Sequence, residues 1–284
     1  MRPHLVLIAA CLVVAGAFSS TGAAADGPSV GPSGALVDQL WSSEGSADIV
    51  ITKELHTTLV QARSGSTRRL LWQARVHGLW GAPQVTQYGD LGGLARGAHT
   101  VVLQQLASSP GRSRFAVIHA SAGRASTRMI DLAGSFAFDA LSPHANLLYL
   151  VEAVNGPSFG SYRVRSYDLR TGRLRPRVIT ERGEPATAPM HGVPTARATS
   201  RRGDWVFTLY LGSNGGSFIH ALHASTATAR CIDLPWHGTY AAYRITAFVG
   251  RAGLTLNDDR GVLLAAVNLK TWRVFPKVDP TRGP

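Results

Sequence analysis

Three histidine–glycine pairs recur along the chain, His77-Gly78, His191-Gly192 and His237-Gly238. Neutral imidazole is a good donor to zinc or copper. Three such rings on equivalent turns of a repeat would make a metal centre if they met at one point. None lies at short metal-ligand spacing from another, however, and glycine after histidine is also turn chemistry. His220-x-x-His223 reads as a strand, where an offset of three sends the two rings to opposite faces. Gly27-Pro28-Ser29-Val30-Gly31 and Gly156-Pro157-Ser158-Phe159-Gly160 match the Gly-x-Ser-x-Gly pattern of hydrolases. That pattern needs a strand before the serine and a helix after it, and neither copy has them. Asp258-Asp259 sits in a polar turn, and Glu152 lacks a carboxylate partner in sequence, so glycosidase chemistry has no pair to work with. The residues name no catalytic set and call for no cofactor, and the reading leans away from an enzyme.

The elements that must hold these residues are short β-rich runs alternating with turns, with no useful amphipathic helix after Trp41. One unit recurs. Its clearest copy runs through Phe138–Leu141, the turn 142–146, Leu147–Val151, Tyr162–Leu169, the turn Arg170-Thr171-Gly172, and Arg173–Ile179. Hairpins at the ends of the copies fall near Ser64, Ala122, Thr171, Thr226 and Thr271, roughly 45–58 residues apart. That period suits propeller blades of ~40–50 residues with loop insertions. Five hairpins predict an all-β propeller of about five four-stranded blades. Six or seven stay open, with a degenerate blade conceivable in residues 34–48.

Ala140-Leu141-Ser142-Pro143 before a turn, Leu148-Tyr149-Leu150, and Tyr167-Asp168-Leu169-x-Thr171-Gly172 resemble YVTN-type and WD40-like β-propeller repeats. The mature chain as a whole is similar to uncharacterised secreted propeller proteins of high-GC bacteria. The resemblance implies the fold and not an activity, since propellers host unrelated functions.

In a four-stranded meander, the loops between second and third strands share one face with the blade-to-blade connections. The long segments 155–160, 181–193, 212–216 and 235–241 all belong to those two classes. Loops on a rigid scaffold carry function, so this face is the expected binding surface. Asn155, Ser158, Phe159, Glu184, His191, Asn214, Trp236, His237 and Tyr240 are its expected ligand-binding residues, the aromatics supplying stacking area and the amides hydrogen bonds. His77, His191 and His237 are the weak metal candidates.

The N-terminus reads as an export signal over residues 1–25. Arg2 is its positive end, Leu5 to Phe18 its apolar run, and Ala23-Ala24-Ala25 its cleavage site. An uncleaved anchor is one rival, and lipidation at Cys11 in Ile8-Ala9-Ala10-Cys11 is another. A Gly/Pro/Ser-rich linker follows over residues 26–45, and residues 46–284 form one domain. If Cys11 leaves with the signal, Cys231 has no internal disulfide partner. The formal charge is +12, and only Lys53, Lys270 and Lys277 of the 29 basic residues are lysine. In a secreted or cell-envelope protein, such charge fits an anionic envelope polymer or another extracytoplasmic protein as partner. Nucleic acid is disfavoured, because the arginines are scattered and not interleaved with aromatics. A membrane would be met only through the signal segment or a lipid on Cys11. Three functions remain from sequence: a ligand- or partner-binding propeller, a lyase or hydrolase of wall polysaccharide or a lactone, and a structural adhesin.

Overall fold

The computed structural model describes residues 31–281 apart from 43–44, 108, 110, 155–160, 186–187, 213–215, 239–240 and 242–243. Five four-stranded antiparallel sheets follow one another in sequence, each a simple meander, and together they form a five-bladed β-propeller. Blade 1 holds β1 to β4 (Val37–Trp41, Ala47–Lys53, Thr57–Ser64, Leu70–His77). Blade 2 holds β5 to β8 (Trp80–Gly81, Thr100–Gln105, Arg112–Ser121, Arg124–Ala133). Blade 3 holds β9 to β12 (Phe136–Leu141, Leu147–Ala153, Tyr162–Asp168, Arg173–Ile179). Blade 4 holds β13 to β16 (Val193–Thr199, Trp205–Leu211, Ser217–His223, Thr228–Leu234). Blade 5 holds β17 to β20 (Thr246–Val249, Leu254–Asn257, Leu263–Val267, Val274–Pro276). The segment 34–48, open in sequence as a further blade, instead supplies β1. That strand lies inside the span read as linker and pairs along its whole length with β2.

Alternation along the strands gives each inner blade two buried faces, so the core is a series of layers between blades. Ile49, Ile51, Val60, Ala62 and Trp72 of blade 1 meet Val101, Leu103, Ala116 and Ile118 of blade 2. Val102, Phe115 and Ile130 meet Phe138, Leu148 and Leu150 of blade 3. Tyr149 and Val164 meet Val206 and Leu222 of blade 4. Phe207, Leu209 and Ile219 meet Leu254, Leu256 and Val267 of blade 5. Among the described residues, no apolar core joins blade 5 to blade 1.

Two side-chain devices repeat with the blades. A serine ends the first strand of blades 1, 3 and 4, and its Oγ accepts the backbone N–H five residues on. The pairs are Ser42 with Ala47 (3.0 Å), Ser142 with Leu147 (2.9 Å) and Ser200 with Trp205 (3.0 Å). The bond closes the turn between first and second strands and fixes their register. At the other end, a hydroxyl opening the third strand clamps the connection to the next blade. Thr58 donates to Gly78 O and accepts from Trp80 N. Ser113 does the same to Gly134 O and Phe136 N.

That connection explains the histidine–glycine pairs. Gly78 and Gly192 sit at φ +95° and +111°, the left-handed region open to glycine. Gly238 is a matter of space instead: a Cβ there would lie 2.4 Å from the Thr281 side chain.

Candidate functional site

The first strands of the blades face the propeller axis, but blade 2 departs from the pattern. Its first strand is two residues long, and the chain from Ala82 to His99 is inserted before β6. The insertion folds back on itself, with Gln84 bridging to Leu91 and Leu94 to Val101. It crosses toward the far blades. Gln87 N donates to Pro194 O of blade 4 (2.8 Å), and Asp90 pairs with Arg244 at the entry to blade 5. The Arg244 guanidinium lies 5.7 Å from the Tyr88 ring centroid. Close packing of this plug rests on Gly93 at φ +98°, where a Cβ would come within 2.4 Å of Val102 O.

Beneath the plug lies a cavity of about 750 Å³, well within the size range of small-molecule sites. Val37, Gln39 and Trp41 line it from blade 1, residues 89–96 from the insertion, Phe138 and Pro143 from blade 3, and Arg197, Thr199 and Ser200 from blade 4. Ser142, Pro143, Ser200 and Gly203 belong to turns between first and second strands, so the cavity lies toward that end of the axis. Trp41, 65% exposed, is one of the lining residues.

The acids around the cavity are each matched by a cation. Asp38 Oδ2 accepts from Lys53 Nζ (2.8 Å) and Ala82 N (2.9 Å) in a pair withdrawn from solvent. Asp90 pairs with Arg244. Asp139 Oδ1 accepts from Arg197 Nη1 (3.0 Å), which also donates to Thr208 Oγ1 (3.1 Å), while Arg197 Nη2 donates to the Asp139 carbonyl.

Behind Arg197 a polar seam runs outward between blades 3 and 4. Arg197, Thr208, His220 and Cys231 are cross-strand neighbours in one row. Burial holds the His220 imidazole below its usual range, opposed by the charge of Asp139 and assisted by that of Arg197. Burial raises the Cys231 thiol to about 12, helped by Glu184 and Glu181. The phenols of Tyr162 and Tyr210, rings 5.4 Å apart, are also raised by burial. The seam is neutral apart from its ion pair. Of this row, Arg197 is the member that lines the cavity.

Of the sequence-predicted ligand-binding residues, the described ones, Glu184, His191, Trp236 and His237, do not line this cavity. Asn155, Ser158, Phe159, Asn214 and Tyr240 lie outside the described residues, as does Ser29 of the other Gly-x-Ser-x-Gly match. Glu184, His191 and His237 are exposed. Trp236 is 0% exposed, packed in the layer between blades 4 and 5, so it serves the core and offers no stacking surface. His191 Nδ1 contacts Ser161 Oγ (3.2 Å), and the His77 carbonyl accepts Trp80 Nε1 (2.8 Å). His77, His191 and His237 do not gather into a ligand set. The one group of three donor-bearing side chains among the described residues is Glu181, Glu184 and Cys231. His220 is buried in the seam, while His223 packs edge-on against Trp205 with centroids 4.5 Å apart, and Trp205 in turn meets Trp272 of blade 5. The two rings thus take opposite faces of the strand. Asp258 caps its own turn, accepting from Arg260 N and Val262 N.

The insertion at 82–99 was not anticipated. Its signal was present: the hairpins at Ser64 and Ala122 are 58 residues apart, the longest interval in the series, and the excess holds Gly89, Gly92 and Gly93.

No protein-family model matches the chain, and no curated protein matches it. Solved structures similar to it include TolB from Acinetobacter baumannii, at 13% identity over 80% of this chain and TM-score 0.41. The chain spans 52% of the length of that TolB. A functionally unknown protein from Desulfotomaculum acetoxidans is similar at 13% identity over 86% of this chain and 72% of its own, TM-score 0.49. Apo AztD from Citrobacter koseri is similar at 10% identity over 89% and 72%, TM-score 0.44. The five consecutive meanders, and not these likenesses, assign the fold.

Proposed function

We propose that this protein is an exported, non-enzymatic propeller that binds a small, uncharged amphipathic ligand, a short saccharide or peptide segment, in the axial cavity. The observation that carries the reading is the cavity's chemistry. Trp41 and Leu91 supply apolar area, Gln39, Thr199 and Ser200 supply hydrogen-bonding groups, the lining acids Asp38 and Asp90 are already paired with cations, and the lining Arg197 is paired with Asp139 behind it. A neutral ligand keeps those pairs intact. An ionic one would have to compete with them or bury a charge unmatched, which costs several kcal/mol. Among the described residues, the same pairing leaves no free carboxylate or histidine at the wall to act as general acid or base, which favours binding over the hydrolase and lyase alternatives. Export is read from residues 1–25, and the loop-rich face that carries Glu184, His191 and His237 is the proposed contact for an envelope polymer or protein partner.

The test is thermal melting of the purified protein with a panel of neutral oligosaccharides and uncharged peptides. A ligand at 100 times its Kd stabilises the fold by about 2.7 kcal/mol, which for a domain of this size raises the Tm by roughly 5–11 °C. Trp41→Ala should abolish the shift without lowering the Tm of the free protein. Absence of any shift across the panel, or a shift that survives Trp41→Ala, overturns the reading.

A further inference from the structure

A second cavity, of about 280 Å³, lies at the outer rim between blades 2 and 3. Blade 2 supplies its floor. Thr100, His119 and Ser126 form one cross-strand row, and Val117 and Arg128 stand in the next row on the same face. Blade 3 supplies Ala145 from the turn between β9 and β10 and Leu169 from the turn between β11 and β12. Both turns lie at the end of the propeller opposite the blade-to-blade connections. The pocket is built around one guanidinium. Arg128 Nη1 donates to the Leu169 carbonyl across the blade boundary. Gly172 leaves it room, since a Cβ there, on a backbone at φ +74°, would collide with Arg128 Nη2. Thr100 Oγ1 lies 3.0 Å from His119 Nδ1, and Ser126 Oγ donates to the His119 carbonyl (3.3 Å). The second ring nitrogen of His119 has no partner among the described residues.

Charge sets this pocket apart from the axial cavity. There the lining acids Asp38 and Asp90 and the lining Arg197 are each matched by an opposite charge. Here the lining holds Arg128 and no acid among the described residues. The acceptor that holds Arg128 is a neutral carbonyl, so its charge is not cancelled. Asp168, the acid of the adjoining turn, is already taken by Arg175 and by the N–H groups of Arg170 and Thr171. Arg170 and Arg173 of that hairpin, and Arg124 at the start of β8, form no ion pair among the described residues and add to the positive field. We propose that this rim pocket binds a tetrahedral oxyanion, a phosphate or sulfate group. The guanidinium keeps N–H groups beyond the one spent on Leu169, a fork suited to two oxygens of one anion. The hydroxyls of Thr100 and Ser126 and the His119 ring offer further hydrogen-bonding groups from the neighbouring row. A flat carboxylate would use the fork alone, whereas a tetrahedral anion engages fork and row together. His119, Ser126 and Arg128 are exposed, so the pocket is open both to a free anion and to one carried on a polymer.

Equilibrium dialysis of the purified protein against inorganic phosphate, and against a short poly(glycerol phosphate), at fixed ionic strength and neutral pH tests this. One phosphate group should bind per chain with a Kd under roughly 1 mM, and inorganic sulfate should compete. Arg128→Gln should weaken binding by about tenfold or more. Arg128→Lys should recover only part of that, because a point charge lacks the fork. Ser126→Asp changes an exposed position that needs no repacking, and should abolish binding by setting a carboxylate against the guanidinium. Arg173→Gln, outside the lining, should leave the Kd within about twofold, since its charge is screened. Tighter binding of the oligomer identifies a polymer as the source of the group, tighter binding of the ion identifies a free anion, and either result upholds the site. No binding of either probe at about 10 mM, or equal losses in Arg128→Gln and Arg173→Gln, overturns the proposal.

Discussion

Replacing Arg197 by methionine tests the polar seam and the cavity wall together. The side chain of Arg197 is 12% exposed and that of its partner Asp139 is 4%. The guanidinium makes two bonds to Asp139, one to the carboxylate and one to the main-chain carbonyl, and a third to Thr208. Methionine keeps the length and the apolar stem and removes all three bonds. Asp139 is then left buried beside the phenols of Tyr162 and Tyr210, with its other oxygen, Oδ2, already without a hydrogen-bond partner. Breaking a buried pair from one side costs about 3–5 kcal/mol. At roughly 2–4 °C per kcal/mol for a domain of this size, the Tm should fall by about 6–20 °C. Removing both charges, as Asp139→Asn with Arg197→Met, should recover at least half of that loss, since no charge then stays buried unpaired. Arg112→Ala is the control: its partner Asp131 is a surface carboxylate that also pairs with Arg114, so the unfolding midpoint should barely move. Urea unfolding with the slope checked for constancy gives the three values. A cost under 1 kcal/mol for Arg197→Met, or a double variant no better than the single, would refute the claim that this pair is buried and coupled.

Three further outcomes are expected. Stability should fall as pH drops below about 6.5, because burial holds His220 below its unfolded value, so the unfolded chain takes up a proton that the folded one refuses. The slope should reach up to about 1.4 kcal/mol per pH unit from that one group, and it should flatten between pH 6.5 and 5 in His220→Gln, above the range where the carboxylates titrate. Gly93→Ala should lower the Tm by several degrees, since its Cβ meets Val102 O at 2.4 Å in a left-handed backbone, and faster amide exchange at Gln87 would locate the loss in the plug. Ser142→Ala should cost about 1 kcal/mol in chemical denaturation by stripping the Asn146 and Leu147 N–H groups of their acceptor, whereas Ser142→Thr should retain most of it.

The amino-acid sequence by itself determined that the chain is all-β and built from repeated strand hairpins, because two-residue alternation and turn residues are local properties, but it left the blade count open and hid β1 in the linker. The copy at Phe138–Ile179 was legible almost to the residue, and the hairpins near Ala122 and Thr171 fell where predicted. Sequence also determined that His220 and His223 part company, since that follows from strand geometry alone. Only the tertiary structure decided which residues share a site. Trp236 looked like a loop aromatic and is core, because the connection that carries it is pressed between two blades. Trp41 looked like linker and lines a cavity, because β1 pairs with β2 and so reaches the axis. Whether the acids would be free or neutralised was equally invisible: Asp90 meets Arg244 across more than 150 residues of chain, and an ion pair of that span exists only once the blades are arranged around a common axis.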